Sequence, residues 1–223
     1  MQQTVVTVEG RFEHHRPAER GTVTLAVGFE GPARDDVVRR TTELHARVVE
    51  QVRAMHAPSS GPVTWWSSDR MSVGSRRPWN NEGKQLPLVH HAAVRLEVKF
   101  SDLGRLAAWV EQVSALDGVT MQGVRWTLTE ATRRTLTLDA RRRAVADALD
   151  RARVYAGALG LTDVRAVAVA EPGMLSDAGR PTGVGESVAA ARTGKAAGDG
   201  AGLELKPEDI TVAAAVHARF AAS

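Results

Sequence analysis

Four places in the 223-residue chain hold side chains whose types could do chemistry. They are the doublets His14-His15 and His90-His91, the run Arg76-Arg77-Pro78-Trp79, and the pair Trp65-Trp66 inside VTWWSSDRMS. A metal site needs ligands that converge from one side. Adjacent residues of a strand point to opposite faces, so neither histidine doublet can hold an ion alone. His90 shares its parity with Val94 and Leu96 and reads as a core or edge histidine. His14-His15 could ligate a metal only with help from another chain. No H-x-x-x-H spacing occurs, and there is no cysteine to supply a thiolate ligand or a thiol nucleophile. Serine-nucleophile signatures are missing too. The run G-V-G-E-S lacks the lysine and the preceding strand of a phosphate loop. The expectation is a protein that is not an enzyme, with no catalytic residues, no metal and no cofactor.

Binding is better supported than catalysis. Trp and Arg anchor interfaces because they join broad apolar area to directional donors. On that ground Trp66, Arg76, Arg77 and Trp79 are the candidate binding residues, for a protein partner or a small ligand. In a regular strand Trp65 shares a face with Val63, Met71 and Val73, and Trp66 shares one with Thr64, Ser68 and Arg70. This parity predicts Trp65 in the core. Trp66 then lies on the other face, where it packs under the linker or a neighbouring subunit or meets a ligand. Asp35-Asp36 stand at a helix start, where they complement the dipole and need no further role. Arg141-Arg142-Arg143 alternate with Asp139 and Asp147 at i,i+4 spacing, which marks a solvated helix face.

These side chains must be positioned by elements that the patterning predicts. A short strand over Val5 to Glu9 is followed by a break at Arg16 to Gly21. Thr22 to Phe29 alternates, with Val23, Leu25, Val27 and Phe29 on one face. After Gly31-Pro32, Asp35 is the expected N-cap of a helix that runs to about Met55. Its stripe is Val37, Thr41, Leu44, Val48, Val52 and Met55. One strand is expected from Val63 to Val73, then a polar loop over 74–87, then a long strand from Leu88 to Phe100. Ser101 is the expected cap of a second helix with Leu103, Leu106, Val110 and Val113 inward; Gly118 stops it. A strand from Val119 to Glu130 leads into a third helix, Ala131 to Leu159, in which Ala140, Ala144, Ala148, Ala152 and Ala156 recur every fourth residue. Gly160 ends that helix, and strands follow at Val164–Ala170 and from Ile210 to Phe220. Between them lies a Gly/Ala/Ser-rich run that buries too little apolar surface to offset its ordering entropy.

Strand–helix–strand–strand–helix–strand is the order of a ferredoxin-like βαββαβ unit. The expected class is α+β, with mostly antiparallel sheet, extended by the Ala-rich helix and the terminal strands. The expected organisation is an α+β domain over 1–172, a flexible linker over 173–206, and a C-terminal strand over 207–223 that completes the domain.

A hydrophobic fraction of 43% and a charged fraction of 25% are those of an ordinary globular protein. The net charge is only +3 and both signs are interspersed, so no nucleic-acid partner is expected. No apolar run reaches the ~20 residues that span a bilayer. MQQTVVTVEG has neither a basic n-region nor a continuous apolar h-region. The expected location is cytoplasmic, or periplasmic if a leader has been trimmed.

Four stretches carry a family resemblance: VTVEGRFEHHRPAERGTVTLAVGFEG, VRLEVKFSDLGRLAAWVEQVSALDGV, MQGVRWTLTEATRRTLTLDARRRAVADALDRARVYAGALGL and KPEDITVAAAVHARF. Together they resemble the SIMPL-domain family, a domain of unknown function with bacterial periplasmic and outer-membrane immunogenic relatives. The shared motifs are fold motifs: an opening strand and turn, a D-L-x-x-L helix start, and an Ala-rich helix ending in A-x-x-L-G. None is catalytic. Trp126 stands where the family commonly has Phe, and the signal peptide of many relatives is not seen. The resemblance implies a non-enzymatic protein that self-associates into a homo-oligomer and is associated with stress tolerance. The alternative is a small-ligand or protein-partner binding module that uses the Trp66 and Trp79 region.

Overall fold

The computed structural model describes residues 3–79, 85–175 and 205–223. In chain order the elements are β1 (Thr4–Pro17), β2 (Arg20–Gly31), α1 (Arg34–Met55), β3 (Val63–Ser68), β4 (Ser72–Arg76) and β5 (Val89–Phe100). They continue with α2 (Leu103–Ser114), β6 (Val119–Thr127), α3 (Glu130–Ala158), β7 (Val164–Ala170) and β8 (Asp209–Ala222). The fold is α+β with antiparallel sheet, as expected. Most of the expected linker at 173–206 lies outside the described residues. The chain divides into two compact units, one holding residues 17–128 with 205–208, the other holding 3–16, 129–175 and 209–223.

The first unit is the ferredoxin-like one. Its sheet has the order β3-β5-β2-β6, and β4 also pairs with β5. Register explains the core. Val23, Leu25 and Val27 of β2 lie opposite Val98, Leu96 and Val94 of β5, so both strands present apolar side chains to one face. Onto that face α1 lays Leu44, Val48 and Val52, and α2 lays Leu106, Trp109, Val110 and Val113. Each such side chain, fully buried, contributes roughly 1.5–3 kcal/mol relative to exposure. The one polar member of the α1 stripe, Thr41, is buried and donates its hydroxyl to the Ala92 carbonyl at 3.4 Å. Trp109 completes the inner face of α2, whereas Leu103 is only half-buried. Gly118, at φ +87°, makes the turn into β6 against the Phe29 ring, a conformation that disfavours any side chain.

Three local expectations are corrected here. The α1 cap is Ala33, which makes no side-chain cap bond; Asp35 and Asp36 sit in the first turn. The α2 cap is Asp102, whose carboxylate accepts from the Arg105 N–H at 2.9 Å. The Ser101 hydroxyl is turned instead toward the Gly61 carbonyl, to which it donates, also at 2.9 Å. The single strand expected over Val63–Val73 is two strands. β3 pairs with the C-terminal half of β5 and β4 with its N-terminal half. The register slips between them, because Ser68 lies opposite Leu96 and Ser72 opposite Ala93, four residues against three.

The second unit is a three-stranded sheet, β1-β8-β7, with α3 packed on it. Strands from both ends of the chain are thus neighbours in one sheet. β1 runs on well past the expected Glu9, to Pro17. Ala140, Ala144, Ala148, Ala152 and Ala156 are all fully buried, and the last four pack with Val6, Val8, Val216 and Phe220. Small side chains let the helix lie very close to the sheet. At Gly10 of β1 even a methyl group would fall 2.0 Å from the Ala144 carbonyl oxygen and 2.6 Å from the Ala148 nitrogen. On the same helix Asp147 accepts from the Arg11 backbone N–H at 2.8 Å and from the Arg151 guanidinium at 2.9 Å. The bond from the Arg11 backbone, followed by that from Arg151, holds the Asp147 carboxyl below its ordinary range despite some desolvation.

Candidate functional site

The two tryptophans part company at a bulge. Val63 lies opposite Phe100, but Trp65 lies opposite Lys99, so two steps along β3 match one step along β5. Thr64 is the extra residue, and it reverses the parity of everything after it. Trp66 therefore falls opposite Val98, and its indole packs against the core. The Arg53 guanidinium of α1 lies 5.8 Å from its ring centroid. Trp65 points to the opposite, helix-free face and is 47% exposed. The expectation of Trp65 in the core and Trp66 outside is thus overturned.

The remaining candidate binding residues do not gather around Trp66. Arg76 forms an ion pair with Glu30 at 3.0 Å, across the sheet. Arg77 donates to the Leu86 carbonyl at 2.9 Å and so ties the two ends of its loop. Trp79 is 85% exposed, next to a segment outside the described residues. Three of the histidines each meet one hydrogen-bonding side chain. His14 meets Asp139 at 2.8 Å, His45 meets the Ser68 hydroxyl at 2.8 Å, and His90 meets the Ser75 hydroxyl at 2.6 Å. Partial burial, then the Arg53 charge, holds His45 below its ordinary pKa. Among the described residues no three His, Asp or Glu side chains come together as a metal site. Among them, too, no helix is long and apolar enough to cross a membrane.

A different set does come together. Trp65 lies opposite Lys99, Lys99 opposite Thr22, and Thr22 opposite Arg125, one straight row across β3, β5, β2 and β6. With Thr64 and Glu97 these residues line an open hollow of about 440 Å³ on the helix-free face. Glu97 is engaged by Arg95 at 2.9 Å. The outward parity of Lys99 and Glu97 is readable in the strand pattern, but the row they join depends on the bulge and on sheet order.

The second unit carries another exposed feature. β7 is the edge of its sheet, and Val167 and Val169 on it are 62% and 49% exposed. Its register slips between Ala166 and Ala168, which leaves Val167 as the extra residue outside the ladder.

Against known families, the model described as SIMPL, a protein of unknown function (DUF541), matches residues 6–220. No curated protein matches the chain.

Proposed function

The chain belongs to the SIMPL family, whose description assigns no activity, and we propose that it is a non-catalytic protein that works by self-association. The observation that carries this reading is the β7 edge with Val167 and Val169 exposed. Edge strands offer unpaired backbone groups, and exposed valines beside them offer apolar area that a second copy would bury. The bulge at Val167 favours side-chain packing over a continued ladder, because it takes that residue out of strand pairing. Tyr155 and Leu159, one turn apart near the end of α3, are also exposed and add to the apolar surface of this unit.

Light scattering over a wide concentration range tests the reading. The expected result is a mass above that of one chain that falls on dilution, and falls further when Val167 and Val169 are both replaced by Lys. A monomer at every concentration overturns it. The binding-module alternative has less behind it in its original form, since Trp66 packs on the core rather than beside Trp79.

A further inference from the structure

We propose that the helix-free face of the ferredoxin-like unit binds a phosphorylated ligand carrying a flat ring, of the nucleoside diphosphate class. The row Trp65, Lys99, Thr22, Arg125 supplies what such a ligand needs and little else. At one end stands Trp65, an indole 47% exposed on a face where its strand neighbours are polar. An exposed ring of this kind gives a stacking surface to any base. Further along are two cations, Lys99 and Arg125. The ion pairs formed among the described residues include neither, while Arg95 on the same face is matched by Glu97. The hollow therefore holds two unmatched positive charges that a diphosphate would neutralise.

Size agrees with the charge pattern. The row crosses three strand spacings, or ~14 Å from the Trp65 backbone to the Arg125 backbone. A base stacked at the Trp65 end leaves its phosphates over Lys99 and within reach of the long Arg125 side chain. The Thr64 side chain and the Glu97 carboxylate line the hollow beside Trp65 and Lys99, where a sugar's hydroxyls would lie. A free phosphate would leave the indole unused, and an uncharged aromatic ring would leave both cations unused. The central strands present Thr22, Glu97 and Lys99 on this face rather than aromatic rings. A single stacking position suits a mononucleotide better than a strand of nucleic acid, which needs successive platforms.

Titration of the full chain with ADP, followed by calorimetry and by tryptophan fluorescence, tests the proposal. Saturable binding with quenching is expected, and adenosine or pyrophosphate alone should bind at least about tenfold more weakly. Trp65→Ala should lose about tenfold in affinity, and Trp65→Phe should retain most of it because a ring remains. The double variant Lys99→Gln, Arg125→Gln should bind more weakly and with a shallower salt dependence. All these positions lie outside the core, and an unchanged urea midpoint verifies that each variant is folded. Absence of saturable ADP binding overturns the proposal, as does binding that Trp65→Ala leaves intact. A single-stranded oligonucleotide that binds more tightly than ADP would also overturn it, in favour of a nucleic-acid surface.

Discussion

At the scale of the residue, the slip at Thr64 assigns the two neighbouring indoles opposite environments, and their removal should cost unequally. Trp66 packs on the core beside Arg53, so Trp66→Ala opens a partial cavity and should destabilise by ~2–3 kcal/mol, below the range for a fully buried Trp. Trp65→Ala removes a ring that already faces water and should stay within ~0.5 kcal/mol. Urea unfolding of both variants measures the difference; equal losses would mean that the register is wrong. The alternation of Val94, Leu96, Val98 and Phe100 was legible in the sequence because each strand residue there answers one partner residue. The bulge was not. VTWW contains no Gly or Pro to mark an insertion, and the extra residue arises from how β3 meets β5, not from β3 alone. The same lesson applies at Ser101 and Asp102. Both are good cap formers, and the choice between them is made by the Gly61 carbonyl, which is distant in sequence.

At the scale of the element, α3 shows how a pattern can be readable while its cause is hidden. The four-residue spacing of alanines announced a closely packed helix, and all five alanines are buried. Gly10, the matching concession from β1, looked like the end of a short strand. It lies instead inside a 14-residue one, at the point where the helix backbone comes nearest. Gly10→Ala should therefore destabilise by ~3 kcal/mol, the upper end of the overpacking range, because the methyl would strike helix backbone and not a side chain that can turn away. Gly157 provides the contrast. A methyl there meets nothing within 4 Å, and the residue lies inside α3, so Gly157→Ala should stabilise by ~0.5–1 kcal/mol. Thermal melts of the two variants should move in opposite directions. A Gly10→Ala protein that melts like the parent would show that α3 can shift away without loss.

At the scale of the whole molecule, the sequence disclosed the order of elements but not how strands divide between sheets. Alternation says which face of a strand is buried; it does not say which strand lies beside it. The terminal strands looked like extensions of the ferredoxin-like sheet, yet β1, β8 and β7 form a sheet of their own. One unit is therefore assembled from both ends of the chain, and the other is an unbroken run from 17 to 128, joined by 205–208. Its buried cluster includes Val23, Leu25, Val27, Phe100 and Leu106, and Leu205 is packed against it. β8 is the middle strand of the other sheet and supplies Val216, Ala218 and Phe220 to that core. Ending the chain before Asp209 should therefore separate the two. Amide exchange should show protection lost along β1, α3 and β7, while Val23, Leu25 and Val27 in the middle of β2 stay protected. The truncated chain should also gain a strong tendency to aggregate, since the alanine stripe and the flanks of β1 and β7 are left uncovered. Loss of protection in β2 to the same extent as in α3 would show that the two units fold as one cooperative body, despite the separate cores.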